Sequence, residues 1–541
     1  MRTFNNAGPS VVGDHYMIDP LMRIDVESIE HLIADKRYFV LHAPRQTGKT
    51  TCLLALMKHL NQQRQYRALY VNIEAAQAAR GNVDRGMEAI IGALASAAQV
   101  YWHDQVLAEW TRVHLKHSTT RTDVLRSVLE YWAQHDSLHP QAPRPIVLML
   151  DEVDALVGDT LISLLRQIRA GYAQRPEAFP QTVILCGVRD VRDYRIHTAH
   201  QEIITGGSAF NIKAKSLRLG NFNQEETIAL WQQHTTETGQ TFDERIWPEL
   251  WEDTHGQPWL VNALGLECTW EDRAARDRAT PISLERYKAA KERLIYSRAT
   301  HLDALFDKLR EPRVRDIVAG ILSSEANEGL DANYSIDDLQ YVHDLGLIEV
   351  RPQLQIANRI YREVIPRELT WTTQTRITHD QAWYLTPQRK LDMPKLLSAF
   401  QQFFREHSDA WMEGFSFKEA GPQLLMQAFL QRIINGGGRI NREYGLGLKR
   451  TDLFIEWPID EAQGFYGPVQ RIVIELKLLK KGRIDAVMKD ALPQTADYAD
   501  RCGADEAHIV VFDRRPNKPW SKRIWRKTVT EGAWTLGVWG A

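Results

Sequence analysis

Two groups of residues, far apart in the chain, have the types and spacing that phosphate chemistry needs. Near the N-terminus stands Ala43-Pro-Arg45-Gln46-Thr47-Gly48-Lys49-Thr50. The glycine allows close backbone approach to an anion, the lysine reaches phosphate oxygens, and the hydroxyl can ligate a divalent cation. Near the C-terminus, Asp452 heads one apolar run. A second run, Arg471-Ile-Val-Ile-Glu475-Leu-Lys477, sets an acid and a lysine two positions apart. Two carboxylates hold a hard metal ion, and a lysine beside them polarises water or a phosphate. The first group suits the phosphates of a nucleotide. The second suits hydrolysis of a phosphodiester.

The first group needs a strand before it and a helix after it. Tyr38-Phe-Val-Leu-His42 supplies the strand and Thr51 to Leu60 the helix. In that setting the backbone of Arg45, Gln46, Thr47 and Gly48 cradles the phosphates of ATP, Lys49 reaches the β- and γ-phosphates, and Thr50 holds Mg²⁺. Ala43 stands where a first glycine is usual. Pro145-Ile-Val-Leu-Met-Leu150 lacks polar alternation, as a central parallel strand covered on both faces does. Asp151 and Glu152 follow it, the first expected to orient the Mg²⁺ shell and the second to activate the attacking water. Another apolar strand, Thr182-Val-Ile-Leu-Cys-Gly187, leads into Val188-Arg189-Asp190-Val-Arg192-Asp193-Tyr-Arg195. Arg189 is the candidate γ-phosphate sensor, with Arg192 and Arg195 as finger or partner contacts; pairing with Asp190 and Asp193 suits the same arginines.

Further on, His255-Gly-Gln-Pro258 enters a helix as a hinge would, and three- and four-residue apolar spacing runs from Trp270 to Leu309. Helical patterns near Arg313 and Leu339, then two short strands joined at Arg351-Pro352, describe a winged helix. The P-loop, Leu-Asp151-Glu152-Val-Asp154, Gly187-Val-Arg189-Asp190 and Gly256-x-Pro258 together resemble an AAA-like ATPase over about residues 10 to 370. The likeness is to the branch holding the origin-recognition and signal-transducing ATPases. It implies a helical and winged-helix lid, an oligomer, and a neighbour's arginine at the γ-phosphate.

In Ile472-Val-Ile-Glu475-Leu-Lys477 strand alternation puts Glu475 and Lys477 on one face. A hairpin through Pro458 to Pro468 would bring Asp452 beside Glu475 as a metal pair for Mg²⁺ or Mn²⁺. Thr451-Asp452 and Glu475-Leu-Lys477 resemble the two central elements of the PD-(D/E)xK nuclease superfamily, over about residues 410 to 515. The resemblance implies a helical acid upstream, for which Glu419 is the candidate, and matches Gln494-Thr-Ala-Asp-Tyr498 to a helix facing the site. Next come Arg514, Arg515, Lys518, Lys522, Arg523, Arg526 and Lys527 with no intervening acid, alongside Trp520 and Trp525. Cations neutralise phosphates and tryptophan stacks on bases, so this segment is expected to contact DNA.

The chain has 541 residues, too many for one core. An α/β multidomain protein is expected, with a P-loop parallel-sheet ATPase core at 1–270 and a helical and winged-helix lid at 271–370. A connecting helical segment at 371–410 then leads to a restriction-endonuclease-like domain at 411–541. The formal charge is −2, so any nucleic-acid surface must be a local patch. Cys52, Cys186, Cys268 and Cys502 form no CxxC pair, which argues against zinc and disulfides and suits the cytoplasm. No membrane-length apolar run appears. The expected whole is an ATP-hydrolysing, metal-dependent nuclease acting on DNA as a homo-oligomer, with a protein partner or trigger. By family analogy it serves antiviral defence or mobile-element control. The rival is an ATP-switched signalling protein whose nuclease-like domain binds DNA or a partner and does not cleave.

Overall fold

The computed structural model describes the chain apart from residues 115–122, 138, 190–194, 198–202, 206–209, 297–306, 324–333, 370–382, 414–424, 428, 431–437, 447–448, 461–462, 480–481, 514 and 516–517. It forms two compact units, Met1–His301 with Ser335–Ile348, and Leu302–Tyr334 with Glu349–Ala541. Among the described residues no helix is long and apolar enough to cross a membrane.

The first unit is built on five strands: β1 (Tyr38–His42), β2 (Arg67–Asn72), β3 (Ile146–Asp151), β4 (Thr182–Gly187) and β5 (Lys213–Arg218). They pair in the order β2-β3-β4-β1-β5, all parallel. Phe39, Leu41, Val147 and Met149 face one core with α1 (Val26–Ala34) and α2 (Lys49–Gln62). Tyr38, Val40, Leu148 and Leu150 face the other, with α3 (Val83–Trp102), α4 (Val106–His114), α5 (Val124–Gln134) and α6 (Gly158–Ala170). Helices on both faces explain why β1, β3 and β4 read as unbroken apolar runs. Because β3, β4 and β1 are neighbours, the segments leaving their C-terminal ends converge. The P-loop, Asp151-Glu152 and Arg189 all leave there.

After β5 come α7 (Gln224–Thr238), α8 (Ile246–Thr254), α9 (Pro258–Leu266) and α10 (Leu284–Tyr296). Asn223 and Glu226 form a capping box at the start of α7. Gly256 has φ 66°, and a Cβ there would strike the carbonyl of Phe222, so the Gly-x-Pro turn needs its glycine. Then come α11 (Pro312–Ser323), α12 (Ile336–Asp344), β6 (Ile348–Glu349), β7 (Gln355–Ile356) and α13 (Arg359–Leu369). Ser335 Oγ caps α12, accepting from the Asp338 N–H at 3.0 Å.

The second unit holds α14 (Met393–Glu413), β8 (Arg439–Leu446), β9 (Lys449–Pro458), β10 (Val469–Leu479), α15 (Ile484–Arg501), β11 (Glu506–Asp513), β12 (Trp525–Glu531) and β13 (Trp534–Gly540). The strands form one mixed sheet in the order β8-β9-β10-β11-β13-β12. β8, β9 and β10 run antiparallel in succession, and β11 joins β10 in parallel. Ile472, Ile474 and Leu476 pack with Leu396, Phe400 and Phe404 of α14. Val473 and Phe454 face Met488, Ala491 and Tyr498 of α15. The residues sharing that second parity, Asp452, Glu475 and Lys477, therefore belong to the α15 face.

Candidate functional sites

In the first unit the P-loop turns tightly after β1. Gln46 has φ 57° and Gly48 has φ 91°. The left-handed backbone at Gly48 favours glycine, and a Cβ there would lie 2.8 Å from Arg23 Nη1, which would have to shift. Thr47 is fully buried, and Arg45 and Gln46 line a cavity of about 370 Å³ with Gly48, Lys49 and Thr50. Lys49 Nζ donates to the carbonyls of Ala43 and Pro44, both at 3.1 Å, at the start of the loop. An arriving phosphate would offer this ammonium stronger, charged acceptors.

Asp151 is fully buried at the end of β3. Its Oδ2 accepts from Thr50 Oγ1 at 2.8 Å and from the Tyr70 hydroxyl at 3.1 Å, while Oδ1 accepts from the Glu152 N–H at 3.0 Å. Hydroxyl and carboxylate oxygens side by side are the hard donors that Mg²⁺ takes, and they fit it. Glu152 has φ 61° and lines the same cavity. Burial, then the neighbouring Asp154 carboxylate, push its carboxyl above the ordinary range. Asp154 Oδ1 accepts from the Val188 N–H at 3.0 Å, tying the acid loop to the end of β4 beside Arg189. The Arg189 guanidinium stands over the Tyr341 ring of α12, 4.9 Å from its centroid. In the same segment Arg218 Nη2 donates to the His343 carbonyl at 3.4 Å, and Gly346 lies against Pro44 of the P-loop. Arg192 lies outside the described residues, as does the side chain of Arg195.

Sequence reasoning missed three partners here. Arg23 donates to the Thr47 carbonyl at 2.8 Å and to the Gly220 carbonyl at 2.7 Å, under the Phe222 ring. Tyr70 reaches Asp151 from β2, and Tyr341 reaches Arg189 from α12. The N-terminal segment also walls the cavity: Trp259 Nε1 donates to the Asn6 carbonyl at 2.8 Å and the Ser10 N–H to Thr51 Oγ1 at 3.2 Å.

A phosphate-cradling loop after β1, an acid pair after β3 with β4 between the two strands, and a five-stranded parallel sheet define a P-loop ATPase core. Residues 33–194 match the AAA domain family, so the core is of AAA type. Among solved structures, a Walker-type ATPase of Pyrococcus abyssi is similar at 16% identity and TM-score 0.46, over 67% of this chain and 99% of that one. Cdc6p of Pyrobaculum aerophilum gives 12%, 0.37, 79% and 97%. The Aeropyrum pernix Orc1 protein, solved in complex with DNA, gives 13%, 0.35, 67% and 95%. No curated protein matches the chain.

In the second unit the β9–β10 register pairs Leu453 with Ile474. Continued by one residue it sets Asp452 opposite Glu475 on the same sheet face. Asp452 Oδ2 accepts from the Leu476 N–H at 2.7 Å. Glu475 is 2% exposed, and its Oε1 accepts from Lys477 Nζ at 3.0 Å. Lys477 also reaches Gln494 Oε1 at 3.4 Å, and Gln494 Nε2 donates to the Tyr498 hydroxyl at 2.6 Å. Asp452, Glu475, Lys477 and Gln494 therefore meet beneath α15. Glu419 lies outside the described residues, among which no group of three or more His, Cys, Asp or Glu could hold a metal.

The basic segment differs from its sequence pattern. Asp513, just upstream, is 2% exposed. Its carboxylate accepts from Arg515 Nη2 at 2.7 Å and also from Lys518 Nζ. Burial pushes Asp513 up, but these hydrogen bonds outweigh it and hold the acid at about 2. Arg523 donates to the Arg515 carbonyl at 3.3 Å and stands over Trp520. Trp520 and Trp525 pack against the two cores of the sheet. Lys522, Arg526 and Lys527 are exposed, while Arg514 lies outside the described residues.

Proposed function

We propose that this chain is an ATP-hydrolysing, metal-dependent nuclease acting on DNA, with the nucleotide state of the AAA-type core gating cleavage. The observation that carries the reading is the placing of Asp452, Glu475 and Lys477 on one sheet face, with Gln494 of α15 reaching Lys477, in a chain that also holds a full P-loop site. At the core, Arg45, Gln46, Thr47 and Gly48 cradle the phosphates, Lys49 binds the β- and γ-phosphate oxygens, and Thr50 and Asp151 hold Mg²⁺. The ion supplies charge neutralisation on the phosphates. Glu152 orients and deprotonates the attacking water, and its raised pKa makes it a stronger base than an ordinary carboxylate. Arg189 senses the γ-phosphate. Its stacking on Tyr341 supports gating, because a γ-phosphate and the α12 ring would compete for one guanidinium.

Glu152→Gln should keep ATP bound and stall its hydrolysis, by about 100-fold or more, the size expected for a lost general base. Phosphate release and retention of labelled ATP check this. A wild-type rate in the mutant removes Glu152 as the base. In the wild type, the acid limb of the rate should lie above about 4.3, the ordinary glutamate value, because activity falls once the raised carboxyl is protonated.

At the second site Asp452 and Glu475 hold Mg²⁺ or Mn²⁺, with Glu419 as a third ligand from upstream. Lys477 polarises the water or the scissile phosphate, and Gln494 orients Lys477. Lys522 and Arg526 contact the DNA backbone together with Arg514 and Arg523; Arg515 and Lys518 join that surface only where Asp513 releases them. A homo-oligomer would complete the ATP site with a neighbour's arginine, and a protein partner or other trigger would set its state. The setting is the cytoplasm, in defence or mobile-element control. The rival reading, a switch that grips DNA without cutting, is favoured by the Lys477–Glu475 ion pair, which a purely structural role would also produce.

Supercoiled plasmid and single-stranded DNA incubated with Mg²⁺ or Mn²⁺, with ATP and without it, separate the two. Metal-dependent cutting whose rate changes with ATP is expected. Tight binding without cutting under every condition would establish the rival.

A further inference from the structure

The acid at the end of β3 has one partner that the chemistry of the P-loop does not demand. Tyr70 lies on β2, paired in parallel with β3, and is 8% exposed. Its hydroxyl donates to Asp151 Oδ2 at 3.1 Å, the oxygen that also accepts from Thr50 Oγ1 at 2.8 Å. The Glu152 N–H holds the other oxygen at 3.0 Å. Three donors from β2, α2 and the acid loop thus fix a fully buried carboxylate in one rotamer. Phenylalanine would fill the same apolar space against α2 and leave Oδ2 with one fewer donor.

We propose that Tyr70 is a positioning residue for the divalent cation of the ATPase site: its O–H sets Asp151 Oδ2 beside Thr50 Oγ1 before the metal and nucleotide arrive. The proposal rests on the ATPase reading above. A carboxylate that acts on a cation through its orientation loses affinity when an outer hydrogen bond is removed, even though every atom that approaches the metal remains. The opposing effect, a slightly more basic carboxylate once a donor is gone, is the smaller one, because Asp151 keeps two donors and its burial.

The test is a fluorescent ATP analogue titrated into full-length wild type and Tyr70→Phe, first in EDTA and then across Mg²⁺ concentrations. In EDTA the two proteins should bind alike. The Mg²⁺ concentration at half-effect should rise about 10-fold or more in the mutant. ATP hydrolysis should return towards wild type when Mg²⁺ is raised. Tyr70→Leu, which also removes the ring, should show the same Mg²⁺ shift. An unchanged Mg²⁺ dependence in Tyr70→Phe overturns the proposal. So does a loss of binding already present in EDTA, or a shift seen only with leucine, since both point to packing. A wild type that binds the analogue with no response to Mg²⁺ overturns the ATPase reading itself, and the proposal with it.

Discussion

Lys49→Ala should abolish ATP turnover, lowering it about 100-fold or more, and should weaken nucleotide binding. On the proposed reading the ammonium meets developing charge on the β- and γ-phosphates, and its loss leaves that charge to the backbone amides and the Mg²⁺. In the structure Nζ donates to two loop carbonyls at 3.1 Å, which holds the ammonium within the turn of the P-loop. Lysine is 6% exposed there, and alanine could also loosen the loop. Lys49→Arg keeps the charge and separates the two effects: it should fold as the wild type and recover binding better than turnover. Phosphate release and equilibrium ATP binding measure both. Unchanged turnover in Lys49→Ala would remove the phosphate-cradle assignment.

Asp452→Ala and Glu475→Ala should each eliminate DNA cleavage, because one carboxylate alone binds the metal weakly and misplaces it. Glu475→Ala also leaves Lys477 without its acceptor at 3.0 Å. Breaking a buried pair in this way costs about 3 kcal/mol or more of stability, so a cleavage defect alone would be ambiguous. Glu475→Gln keeps the shape and an acceptor oxygen, and should cut no better than Glu475→Ala. Lys477→Ala should slow cleavage strongly while leaving metal affinity nearly intact, since lysine is no ligand. ATPase activity should survive all of these substitutions, because the P-loop belongs to the other compact unit. DNA binding should survive as well if Lys522 and Arg526 supply its phosphate contacts.

What the sequence made legible follows the physics of each element. The unbroken runs of β1, β3 and β4 announced themselves because helices cover both faces of a parallel sheet. β5, Lys-Ala-Lys-Ser-Leu-Arg, did not, because it is an edge strand and partly exposed. The Glu475 and Lys477 parity followed from alternation alone. Gln494 is expected to face them from the Gln-x-x-x-Tyr match, and its approach to Lys477 comes through the crossing of α15 over β10. Tyr70, Arg23 and Tyr341 were invisible because each acts on a residue that only the tertiary fold brings near. In the basic run, Arg515 and Lys518 turn inward to the buried Asp513, one position before it, which the run of cations does not announce.

The most direct test of the central claim is a supercoiled plasmid assay comparing wild type with the Asp452→Ala/Glu475→Ala double mutant, in Mg²⁺ and in Mn²⁺, with ATP and without. The reading requires metal-dependent cutting by the wild type, a rate that changes with ATP, no cutting by the double mutant, and equal ATP hydrolysis by the two proteins. Persistent metal-dependent cutting by the purified double mutant would contradict it.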